Sequence, residues 1–140
     1  MEGMTVWDPL RKKDVALTPE EEVRQWFIGV LNETMHIPLH MMRSEVSLNL
    51  GSKKFRADIL VYDRKAEPLA VVECKRPETV LNGAVLEQAI RYNMALGVRY
   101  IMITNGSATM IFRRTAEGFA PVSGIPTYDE MTNGHGQGKD

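Results

Sequence analysis

The first long periodic stretch of the chain is LTPEEEVRQWFIGVLNE, in which Val23, Trp26, Phe27, Val30 and Leu31 recur at helical spacing as one apolar stripe. Its start is marked chemically. Thr18 is placed to cap the helix, Pro19 suits the first helical position, and Glu21 completes a capping box. On a helical wheel Glu20 lies beside the stripe and Glu21 opposite it, so Glu20 is the acid expected to reach inward. His36-Ile37-Pro38 then breaks the helix, and the period changes to two. Val46, Leu48 and Leu50 alternate with Glu45, Ser47 and Asn49, the pattern of a strand with one wet face.

RADILVYD and LAVVECK read as two further strands joined by the turn DRKAEP. Asn82 suits the cap of a second helix, AVLEQAIRYNMAL, which Gly97 closes, and RYIMIT and ATMIFRR follow as strands around an NGS turn. The predicted order is helix, three strands, helix, two strands, an α/β (α+β) chain. Its strand-helix-strand step demands a crossover, and hence a mixed sheet flanked by helices. Residues 1–17 read as an N-terminal arm with RKKD at 11–14, residues 18–127 as one folded domain, and residues 128–140 as a disordered tail.

Composition narrows the choices. A chain of 140 residues, 44% hydrophobic and 25% charged, is the size of one domain with one sizeable core. With 17 basic and 18 acidic residues the net charge is -1, so contact with phosphate has to come from a local patch. The single Cys74 rules out an intramolecular disulfide framework and fits a reducing compartment. No apolar run approaches the roughly 18 residues of a membrane span. MEGMTVWDPL also lacks the pattern of a signal peptide, so a cytoplasmic location without membrane contact is expected.

The candidate chemistry lies in VVECKRPE, where a buried strand ends in opposite charges. In a strand Glu73 and Lys75 share one face, and Cys74 points to the other. If the DRKAEP hairpin pairs Asp63 with Pro68, counting back sets Asp58 opposite Glu73, with side-chain roots about 5 Å apart. Opposed carboxylates call for a neutralising cation. Two carboxylates and a backbone carbonyl, that of Cys74, suit Mg²⁺, which keeps waters and accepts phosphate oxygens as further ligands. Lys75 would orient or help deprotonate an attacking water, and the chemistry of the trio is phosphodiester hydrolysis.

RADILVYD followed by VVECKRPE, with Asp58, Glu73 and Lys75 in an Asp, Glu-x-Lys arrangement, resembles the PD-(D/E)XK nuclease superfamily, although Ala57 stands where that name has proline. More narrowly, TPEEEVRQ, ECKRP, EQAIRYN and YIMITNG resemble the N-terminal nuclease domain of type I restriction enzyme R subunits and its stand-alone relatives, over about Thr18 to Phe112. The resemblance implies a restriction-endonuclease-like core, Mg²⁺ (with Mn²⁺ as substitute) on the acids, a lysine assisting the water, and DNA as substrate in a restriction or defence setting. It also implies supporting roles for Gln88 and Tyr92, which lie four apart on one side of their helix. No GxxxxGK[ST] loop occurs, so the chain carries no motor of that kind, and a separate motor or specificity subunit is an expected partner. Cutting both strands from one site per chain would favour a homodimer.

Two other readings stand beside the nuclease. One is a catalytically silent nucleic-acid-binding or subunit-interaction module, and the other treats Asp58, Glu73 and Lys75 as a structural ion cluster. Cys74 reads as a small core residue, His36 and His40 are separated by a helix-breaking proline, and Trp26, Met94, Met102 and Met110 read as core or contact residues. Lys53, Lys54, Arg56, Lys75, Arg76, Arg91, Arg113 and Arg114 are the candidates for a phosphate-contacting surface.

Overall fold

The computed structural model describes residues 3–133. Among them, α1 (Pro19–Gly29) leads through a π-helical turn into a six-stranded mixed sheet ordered β3 (Met42–Leu50), β4 (Lys53–Tyr62), β5 (Pro68–Cys74), β6 (Tyr100–Thr104), β7 (Thr109–Thr115) and β8 (Gly118–Pro121). Only β5 and β6 pair in parallel, and α2 (Gly83–Asn93) is the crossover between them. The expected helix, three strands, helix, two strands is therefore present, with additions at both ends.

The sheet separates two cores. Val23, Phe27, Ile28 and Leu31 of α1 pack with Ile59, Val61, Ala70, Val72, Cys74 and Met102 on one face. Ala89 of α2, with Leu86 and Ile90 beside it, packs with Leu60, Val71, Ile101 and Ile103 on the other. The strands β5 and β6 are buried on both faces, as their unbroken apolar runs require. α1 departs from its predicted stripe: Trp26 remains 48% exposed against Phe27, while Ile28 and Arg24 are buried, Arg24 with 4% exposure. The helix packs an arginine inward because three carboxylates wait there to pair it.

Three end segments correct the sequence reading. Part of the expected arm is a hairpin of β1 (Thr5–Asp8) and β2 (Lys13–Ala16), pairing Trp7 with Asp14 and fastened to α1 where Arg11 bridges Asp8 and Glu21. The strands are four residues each, too short for alternation to stand out. β8, not ATMIFRR, is the last strand of the sheet, and its four residues between Gly118 and Pro121 escape for the same reason. Part of the expected tail is α3 (Tyr128–Thr132), capped by a Thr127/Glu130 capping box, with Tyr128 and Met131 buried in the α1-side core. Residues 134–140, the rest of that expected tail, lie outside the described residues.

Two irregularities shape the sheet near the site. At the turn, Tyr62 rather than Asp63 faces Pro68, and the register shifts between Val61 and Tyr62. Beyond that bulge Ile59 faces Val72, the register inferred for the strands leading to Asp58 and Glu73. On the other side, Met42 and Val46 share parity along β3, and Ala57 and Ile59 share it along β4, yet each pair is split between the two cores. Both strands turn over between these positions. There Glu45 and Asp58 drop out of the β3–β4 pairing and Glu45 adopts a left-handed φ of 53°.

Candidate active site

Asp58 comes from β4 at this irregular point, and Glu73 and Lys75 from the end of β5. Freed from the ladder, the Asp58 carboxylate accepts the Cys74 backbone N–H at 2.7 Å, so it caps the end of β5. The Cys74 carbonyl lies on the same edge of β5 as that N–H, because both groups of one strand residue face the same neighbour. Glu73 faces α2, where Asn93 donates to its Oε1 at 2.9 Å, and Lys75 Nζ lies 2.6 Å from its Oε2. The Lys75 N–H donates to Thr104 O at 2.8 Å and carries the parallel ladder one residue past the strand. Cys74 itself is buried in the α1-side core, and burial pushes its thiol well up.

These groups line a cavity of about 440 Å³ between α1 and α2. Glu20 stands on the α1 side, and Gln88, Tyr92 and Asn93 on the α2 side, so the structure brings Glu20, Asp58, Glu73, Cys74, Lys75, Gln88 and Tyr92 to one space. Tyr92 is 43% exposed, stacks its ring 5.2 Å from that of Phe55, and accepts the Arg56 N–H on its hydroxyl at 3.1 Å. Glu21 is the inward acid that the helical wheel missed. Thr18 caps its N–H at 3.0 Å, but the Glu21 side chain turns to Arg11, Arg24 and Gln25 instead of closing the capping box.

Sequence reasoning also missed Arg24, Glu45 and Asn93. Arg24 reaches Glu45 at 2.5 Å, Glu21 at 3.2 Å and Asp58 at 3.7 Å, and Glu45 is further paired with Arg56. A basic residue three places after Glu21 was a visible signal, but its partner Glu45 looked like one more wet-face residue. Burial alone would raise the Glu45 carboxyl, yet the Arg24 hydrogen bond and charge, with Arg56, hold it below its ordinary value. Asp58 goes the other way. Burial pushes it up to about 6 against the Cys74 N–H and the Arg24 charge, and the negative Glu20 and Glu73 push in the same direction as burial.

Among the described residues, no group of three or more His, Cys, Asp and Glu side chains is set to hold a metal ion. Of the four carboxylates lining the cavity, Glu20, Glu45, Asp58 and Glu73, the pair Asp58 and Glu73 lies beside the strand-end carbonyl of Cys74, all hard oxygen donors, and burial and neighbouring acids push the Asp58 carboxyl up. That donor set suits a cation such as Mg²⁺, which is commonly bound by one or two carboxylates plus water and substrate phosphates.

A mixed sheet flanked by helices, with α2 as its parallel crossover, is a restriction-endonuclease-like fold. The family described as Type I restriction enzyme R protein N terminus (HSDR_N) matches residues 19–126, and the chain belongs to it. Among solved structures, a fragment assigned as an HsdR subunit of a type I restriction enzyme from Vibrio vulnificus YJ016 is similar over 83% of this chain, at 23% identity and a TM-score of 0.61. The match covers 25% of that fragment, so this chain spans about a quarter of its length. No curated protein matches the sequence. No helix among the described residues is long and apolar enough to cross a membrane.

Proposed function

We propose that the cavity hydrolyses phosphodiester bonds of DNA with a divalent cation, Mg²⁺ or in its place Mn²⁺, in a restriction or defence setting. The observation that carries this reading is the convergence of Asp58 and Glu73 at the mouth of β5 with Lys75 Nζ on Glu73 at 2.6 Å. Asp58, Glu73 and the Cys74 carbonyl would hold the cation, which when bound polarises the phosphate and neutralises charge developing on it. Lys75 orients the attacking water from the Glu73 side and places a positive charge beside the phosphate. The water's oxygen bonds to phosphorus as the bond to the leaving oxygen breaks, the water losing a proton to solvent and the leaving oxygen taking one from solvent. Gln88 and Tyr92 support the substrate from α2, and Glu20 closes the α1 wall. A motor or specificity subunit would bring DNA to the site.

A silent nucleic-acid-binding or subunit-interaction module is the second reading, favoured by one observation: both Glu73 oxygens are already engaged, by Lys75 and Asn93. The deciding experiment is cleavage of supercoiled plasmid and of single-stranded DNA with Mg²⁺ or Mn²⁺, by the protein beside Asp58→Ala, Glu73→Ala and Lys75→Ala. Metal-dependent cutting lost in all three variants is the expected result. Folded protein that cuts neither substrate with either metal would overturn the nuclease and leave the module.

A further inference from the structure

β4 is longer than its neighbour on the cavity side. It pairs with β5 from Ile59 to Tyr62, but with β3 its pairing continues out to Lys53, so the β3–β4 pair runs on as a two-stranded ribbon past the body of the sheet. At about 3.3 Å per residue, the six residues Lys53–Asp58 reach roughly 20 Å. The two faces of this ribbon differ completely. Phe55 and Ala57 are buried on the α2 side, and Lys53 lies over the Phe55 ring at 5.6 Å. The opposite face pairs Ser47 with Arg56 and Asn49 with Lys54, four exposed hydrogen-bonding side chains without a carboxylate or an aromatic ring among them.

We propose that this polar face is the docking surface for duplex DNA, with Arg56 and Lys54 on phosphates adjoining the one held at Asp58. The proposal rests on the nuclease reading of the cavity and names the form of its substrate. Arg56 lines the cavity, so the ribbon and the acids share one mouth. Along β4, Arg56 and Lys54 stand two and four residues from Asp58, about 7 Å and 13 Å away. A chain with net charge -1 has no general field for DNA, so Lys54, together with Arg56, which holds Glu45 through one guanidinium nitrogen at the base of the ribbon, supplies the local complementarity. Two observations favour the duplex over a single strand. A ribbon two strands wide is an element that the DNA major groove admits. Binding of single strands relies on exposed rings for base stacking, and this face has none.

The test is fluorescence anisotropy of a blunt 25-base-pair duplex, in EDTA so that cutting plays no part, across 50–200 mM salt. Lys54→Gln/Arg56→Gln is compared with the wild type and with Arg64→Gln/Lys65→Gln at the far end of β4. Each lost phosphate contact lowers the log–log salt slope by about 0.9, so the ribbon variant loses about 1.8, on the order of a tenfold smaller affinity change over that range. The far-end variant keeps the wild-type slope. Lys54 and Arg56 are exposed, and an unchanged circular dichroism spectrum checks that the variant is folded. A slope equal to wild type in the ribbon variant overturns the proposal, as does wild-type binding to a single strand but not to the duplex. A ribbon-dependent slope in a protein that does not cut keeps this surface and removes the nuclease.

Discussion

Replacing Asp58 with asparagine is expected to stabilise the fold at neutral pH while abolishing activity. The Asp58 carboxyl is pushed from 3.8 to about 6 by burial, with Glu20 and Glu73 adding to it. At 1.36 kcal/mol per pH unit, that displacement means the ionised carboxylate costs the folded state about 3 kcal/mol above pH 7. With its side chain 24% exposed, most of the cost survives solvent screening. The sign follows from a folded value above the unfolded one. The proton binds the folded state more tightly, so this group's stabilising contribution is complete below pH 3.8 and is lost as pH rises through about 6. The amide keeps an acceptor for the Cys74 N–H and removes the charge. Urea denaturation in EDTA should find Asp58→Asn more stable than wild type by up to about 3 kcal/mol at pH 8, shrinking towards zero near pH 4. Saturating Mg²⁺ should close the gap at pH 8 by stabilising the wild type alone. A variant no more stable than wild type at pH 8, or a difference independent of pH, would refute the electrostatic reading.

Arg24→Met leaves Glu21 and Glu45 without their buried partner, and a loss of 3–5 kcal/mol is expected by urea denaturation, on the order of what removing one member of a buried pair costs. Met131→Ala should cost about 2–5 kcal/mol in the same assay, because Met131 is fully buried; a cost near zero would mean that α3 is not part of the core. Cys74, buried and with its thiol pushed up, should resist a thiol reagent in the native protein and react at the rate of unfolding; immediate reaction at native conditions would contradict its placement.

The order of elements was legible along the chain because each central element carries a strong local signal. Thr18 and Asn82 cap their helices, and their oxygens accept the Glu21 and Val85 N–H groups. The apolar runs of β5 and β6 permit little besides buried strands. The register counted for β4 and β5 holds from Ile59 facing Val72 to Val61 facing Ala70, even though the turn itself closes one residue away from the assumed place. The bulge at Val61 and Tyr62 absorbs that difference before it reaches the acids. Short elements such as β1, β2, β8 and α3 were not legible, since four or five residues carry too little periodicity.

What the sequence determined, then, was the candidate chemistry and the strands that carry it: one acid within β4, and an acid and a lysine at the end of the neighbouring β5, between two capped helices. Tertiary structure alone decided which acids pair and which remain in tension. Glu21 and Glu45 look like solvated positions in sequence, and only the docking of α1 against β3 and β4 joins them through Arg24. The left-handed Glu45 and the turnover of two strands release Asp58 from its ladder, an effect that spacing along one strand cannot encode. Burial and like charge act between elements distant in sequence, so the raised Asp58 carboxyl belongs to the fold and not to any segment of it.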